Sequence, residues 1–168
     1  MTEVSMKTLT GKAEVLEGLP DHPAIKAILA LSPDTLADAL FDRGELTLTV
    51  PAESIREACA TVQAAGYNFF EDMTAVDWYP SEPRFHLSYH ILSHKYKERI
   101  RLRAMVGSVD PAIESITSVW PGANYYEREV FDLFGVRFEG HPNLRRIMMP
   151  EDWVGHPLRK DYPVEGYR

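Results

Sequence analysis

A chain of 168 residues has room for one core of ordinary size and not for two full ones. Its composition, 45% hydrophobic and 26% charged, is that of a globular protein, and no stretch approaches the roughly 18 apolar residues that a membrane span needs. The net charge of −7 is uneven: residues 1–83 carry 5 basic and 14 acidic side chains, residues 84–168 carry 13 and 11, and with a pI near 5.4 and no dense Lys/Arg patch a nucleic-acid partner is excluded.

Residues 1–22 hold the breakers Gly11, Gly18 and Pro20, no apolar core of a secretory leader, and read as a poorly structured lead-in. Pro23 then opens a short helix, AIKAILAL. In GELTLTV, Leu46, Leu48 and Val50 alternate with Glu45, Thr47 and Thr49, the pattern of a half-buried strand. PAESIREACATVQAAG spaces Ile55, Cys59 and Val62 for one helical face, with Glu53 or Ser54 as cap and Gly66 as stop. Cys59, the single cysteine, excludes an intramolecular disulfide and a thiolate cluster from this chain, and it reads as a small apolar residue of that helix.

YNFFEDMTAVDWYP predicts a strand ending near Pro80, and a hairpin follows it. Phe85, Leu87, Tyr89 and Ile91 share one face of its first strand, with His86, Ser88 and His90 opposite. Ile100, Leu102, Ala104 and Val106 share a face of the second, with Lys97, Arg99, Arg101 and Arg103 opposite. That stripe of cations is either a solvated face that blunts edge pairing or a docking surface for an acidic partner. His86, His90 and His94 recur every fourth residue, but on a strand such neighbours stand about 7 Å apart, too far to share a metal ion.

Asp110-Pro111 is expected to start a helix, AIESITSVW, and a second helix spans roughly 123–134 with Gly135 as its left-handed cap. Tyr126, Val130, Leu133 and Phe134 form its core stripe, Arg128 and Asp132 an i,i+4 pair, and Glu127 and Glu129 diverge too far to act as paired carboxylates. From Val136 periodicity fades, yet Phe138, Leu144, Ile147, Met148, Met149, Trp153 and Leu158 are more apolar than disorder allows. His141 and His156 each precede proline and mark rigid turns. No nucleophile sits beside a base, and neither GxGxxG nor GxxxxGK[ST] occurs, which leaves a stand-alone hydrolase a remote alternative. The expected fold is α+β, a mainly antiparallel sheet with helices on one face: residues 23–135 form the domain and 136–168 an extended arm that packs on another surface.

The run YEREVFDLFGVRFEGHPNLRRIMMPEDWVGHPLRKDYP closely resembles the signature region of the complex I 30-kDa subunit family. Glu127-Arg128-Glu129, Asp132, Leu133-Phe134, His141, Arg145-Arg146 and Ile147 fill the family pattern, with Arg145 where lysine is frequent. The resemblance implies a non-catalytic subunit of the hydrophilic arm of an NADH:quinone oxidoreductase, at the cytoplasmic side of the membrane and touching the membrane only through the complex. It implies no flavin, iron–sulfur cluster or metal in this chain, and docking on the large quinone-site subunit (49-kDa) beside other hydrophilic-arm subunits. Within the family, the equivalent subunit of a ferredoxin-linked photosynthetic complex or a membrane-bound hydrogenase is the alternative. Partner contacts are expected from Glu127, Arg128, Glu129, Asp132, His141, Arg145, Arg146, Arg159, Lys160 and Asp161, with Trp153 and Leu158 filling pockets.

Overall fold

The computed structural model describes residues 8–166. In chain order its elements are β1 (Leu9–Thr10), α1 (Lys12–Gly18), α2 (Pro23–Leu31), β2 (Asp38–Asp42), β3 (Glu45–Thr49) and α3 (Ile55–Ala64). Then follow β4 (Phe69–Asp77), β5 (Phe85–Ser93), β6 (Glu98–Val106), β7 (Ala112–Glu114), α4 (Ala123–Phe134) and β8 (Arg137–Glu139). Six strands form one sheet in the order β1-β2-β3-β6-β5-β4, antiparallel except where β3 runs parallel to β6. β7 and β8 make a separate parallel pair. This is the expected α+β architecture.

Alternation decides which face of the sheet is inside. Leu46 and Leu48, Met73 and Ala75, Phe85 to Ile91 at every second residue, and Ile100 to Ala104 likewise are all buried. Ile25 and Ile28 of α2, Ile55, Cys59 and Val62 of α3, and Val130 and Phe134 of α4 close the same cluster. The hairpin register sets Tyr89 opposite Leu102 and Ile91 opposite Ile100, so apolar side chains meet directly across the strands.

Four expectations are corrected. Within residues 8–22, Leu9 pairs with Phe41, and Val15 of α1 is fully buried, so this part of the lead-in belongs to the core; residues 1–7 lie outside the described residues. β3 is not half-buried, because Thr47 and Thr49 are covered as well, with Arg101 bonded to Thr47 Oγ1 at 3.2 Å. The helix expected after Pro111 is the strand β7 followed by turns: only Ile113 of its three residues is buried, and its partner β8 lies 25 residues on (Ala112 against Arg137). Such a ladder leaves no local helical or strand signal strong enough to read. Finally, β8 itself falls in the expected arm, with Val136 and Phe138 buried in the domain's own core.

Candidate functional site

α4 is amphipathic, and its C-terminal end holds much of the segment from Arg146 to Arg159. Gly135 closes it at φ +74, the left-handed conformation that glycine adopts without cost. A helix end leaves backbone carbonyls without partners, and here the arm supplies them. His156 Nδ1 donates to the Asp132 carbonyl at 2.8 Å, the Leu158 amide to the Leu133 carbonyl at 3.1 Å, and Arg159 Nε to the Phe134 carbonyl at 2.6 Å. The cations Arg146 and Arg159 thus sit at the negative end of the helix dipole. A Cβ on Gly135 would lie 2.5 Å from His156 Nε2 and 2.7 Å from Arg159 Nη2, so the arm passes directly over this residue.

One turn earlier, the Asp132 carboxylate is fully buried. Its Oδ2 accepts the consecutive amides of Ile147, Met148 and Met149 at 2.9, 2.7 and 2.8 Å, and its Oδ1 accepts Arg146 Nη1 at 2.6 Å. Burial alone would raise this carboxyl, but the amides of Met149, Ile147 and Met148 and the Arg146 guanidinium outweigh it and hold the pKa below the ordinary value. Arg146 Nη2 continues to the carbonyls of Trp153 and Gly155 at 3.1 and 3.0 Å. Arg128 does not pair with Asp132, as i,i+4 spacing suggested; its guanidinium donates to the carbonyls of Arg145 and Arg146 at 3.2 and 3.3 Å.

Glu127 is also fully buried and accepts Ser115 Oγ at 2.6 Å and the Ile116 amide at 2.7 Å. Burial pushes its pKa up to about 7 against those two bonds. His141 lies 4.0 Å from it, with Nε2 against the Asn124 carbonyl at 3.3 Å and Nδ1 accepting the Asn143 amide at 3.0 Å. Both histidine–proline turns are therefore pinned to α4, and burial lowers both imidazoles.

The far end of the arm is held by a pair that sequence reasoning misses. Arg84 is buried and bridges Asp77 (2.8 Å) and Asp161 (2.7 Å), while the Lys160 amide reaches Asp77 Oδ2 at 2.8 Å. Burial opposes ionisation of Asp77, yet Arg84 and the amides of Lys160 and Tyr79 depress its pKa well below the usual carboxylate range. A signal is present: Asp77 occupies an inward position of β4, in step with Met73 and Ala75, where an acid requires a partner.

These contacts revise the expected roles. Glu127, Asp132 and His141 are enclosed by this chain, and Arg128, Arg146, Arg159 and Asp161 make internal bonds, so they position the arm. Glu129, Arg145 and Lys160 stay exposed. Leu144 packs against the core, but five other apolar side chains of the arm are exposed: Ile147 is 38% exposed, Met148 63%, Trp153 39%, Val154 63% and Leu158 52%. On the sheet, His90 meets Asp72 and Arg101, and among the described residues no group of three or more His, Cys, Asp or Glu gathers as a metal site. Nor is any helix among those residues long and apolar enough to cross a membrane.

Residues 48–168 match the model of the family described as respiratory-chain NADH dehydrogenase, 30 Kd subunit. The NADH-quinone oxidoreductase subunit designated C in Citrifermentans bemidjiense is 46% identical over 84% of this chain and 90% of its own length. Its counterpart of the same designation in Geobacter sulfurreducens is 49% identical over 79% and 83%. Among solved structures, a trypsin-resistant fragment of Nqo5 is similar at 36% identity and a TM-score of 0.57, covering 60% of this chain and 83% of the fragment. A chain of an archaeal membrane-bound sulfane sulfur reductase is similar at 28% identity and a TM-score of 0.72, covering 83% and 84%.

Proposed function

This chain belongs to the family of the 30-kDa subunit of respiratory-chain NADH dehydrogenase, part of an electron-transport complex, and from that premise we propose that it is a non-catalytic scaffold within its complex. Its exposed arm docks on the large quinone-site subunit, at the cytoplasmic side of the membrane, and the flavin, iron–sulfur and quinone chemistry belongs to other chains. The observation that carries this reading is the two-sided character of residues 141–161. Arg146, His156, Arg159 and Asp161 of the arm turn inward onto Asp132, Arg84 and the end of α4, whereas Met148, Trp153, Val154 and Leu158 face out. Several large apolar side chains exposed along one segment mark a surface for a neighbouring chain. Glu129, Arg145 and Lys160 would form the polar rim.

Trp153 is the anchor to test, since aromatic side chains carry a large share of interface energy. Trp153→Ala is expected to weaken incorporation into the native complex by about 2 kcal/mol or more, measured by competition with wild-type chain during assembly. Equal incorporation would remove the docking role. The likeness to the sulfane sulfur reductase chain favours a second reading, the equivalent subunit of a related membrane complex with another electron-input module. Mass spectrometry of the purified complex separates the two: NADH-binding flavoprotein subunits among its chains support the first.

A further inference from the structure

The outer face of the six-stranded sheet is divided along the strands. At one end Asp72, His90, Arg101, Glu45, Arg99 and Glu71 form a continuous network of ion pairs and hydrogen bonds in which three carboxylates meet two guanidiniums and His90 Nε2 accepts from Arg101. At the other end the register aligns Val76 with His86 and His86 with Met105, and the Trp78 ring lies 5.3 Å from His86. Val76 is 46% exposed and Trp78 50%. Between the two zones runs the row Thr74, Ser88, Arg103 and Thr49, directly opposite one another across four strands.

Arg103 differs from its neighbours in that row and stripe. Arg99 and Arg101 have carboxylate partners, whereas the Arg103 guanidinium has neither an ion pair nor a hydrogen bond among the described residues. Asp38 attracts it from β2, but its Oδ1 accepts the Lys12 amide at 3.1 Å and it makes no ion pair with Arg103. Its own surroundings already desolvate it in part. A half-desolvated guanidinium without a carboxylate has lost water contacts and gained little in return. Its planar fork fits one carboxylate in a bidentate pair.

We propose that the surface formed by Arg103, Val76, Trp78, His86 and Met105 docks a segment of a neighbouring protein chain that presents one carboxylate among apolar side chains. The carboxylate completes Arg103 and the apolar flanks cover Val76 and Trp78. A membrane surface fits less well: an anionic bilayer favours several clustered free cations, whereas Arg99 and Arg101 on this face are already engaged by carboxylates. The surface lies on the sheet and not on the arm, so it is a second contact that rests on the chain's place in a complex.

The test places a photo-crosslinking amino acid at Val76 of the full chain, and at Thr74 in a second preparation, in the native purified complex. Co-purification of the wild-type chain is scored first, so a failure of the complex-subunit reading is seen separately. The expected product is a crosslink to one other chain within three residues of an Asp or Glu. Arg103→Glu should reduce that crosslink more than tenfold, Arg103→Lys much less, and changing the identified acid to Arg should restore it with Arg103→Glu. Each of four results overturns the proposal: a peptide without a carboxylate, a lipid adduct, a second copy of this chain, or no adduct from either position in assembled complex.

Discussion

Three consecutive backbone amides and one guanidinium converge on Asp132, so this side chain is worth far more than its place in an exposed-looking ERExxD run suggests. Removing the acid strands the partly buried Arg146 and three amides, which costs on the order of 3 kcal/mol. Asp132→Ala should therefore lose hydrogen-exchange protection at Ile147, Met148 and Met149 while the β5–β6 hairpin keeps its own. Because the folded pKa lies below the ordinary 3.8, the stability Asp132 contributes is present above that value and is lost as pH falls through the folded one. Glu127 has the opposite sign. As pH rises from the ordinary 4.5 towards about 7, the native state keeps a proton that the unfolded chain has released, so stability falls across that window, by on the order of 3 kcal/mol, and is level above it. Glu127→Gln should flatten the profile of urea-unfolding free energy between pH 5 and 7, and an unchanged slope would place the titration elsewhere. The motif residues are legible as special, but their partners are not. The amides that bind Asp132 come from a segment with no regular structure, 15 to 17 residues away, and nothing in side-chain identity marks a backbone donor.

α4 and the arm behave as one unit, since the arm supplies the helix with its C-terminal partners. Gly135→Ala should break this union in two ways, by forcing a β-carbon into φ +74 and by driving it into His156. A destabilisation of at least about 1 kcal/mol is expected. Its signature would be faster trypsin cleavage after Arg145, Arg146, Arg159 and Lys160, with the sheet strands uncut. Cleavage at the wild-type rate would mean that the arm does not depend on the helix end. Long strands and amphipathic helices are readable because their period repeats several times: α3, α4 and the hairpin stand where alternation and 3.6-residue spacing put them. Three-residue strands carry too little pattern. β7 reads as helix from sequence because its partner β8 is remote, and β8 reads as arm because proline and glycine surround it.

At the level of the whole molecule, the unequal charge of the two halves finds its explanation inside the fold. Arg84, Arg99, Arg101 and Arg146 of the basic half pair with Asp77, Glu45, Glu71, Asp161 and Asp132, two of them also within that half. These cations of the basic half therefore serve internal pairing first. The α+β class is visible from element order, whereas the parallel contact of β3 with β6 joins segments more than 50 residues apart and has no local mark. The proposed docking requires another chain to cover the outward side of residues 147–158 in the assembled complex. Hydroxyl-radical footprinting of the isolated chain and of the native complex measures this directly at Met148, Trp153 and Leu158. Strong labelling of all three in isolation and at least fivefold protection in the complex is the predicted result. Equal labelling in both states, with the chain verified as assembled, would contradict it.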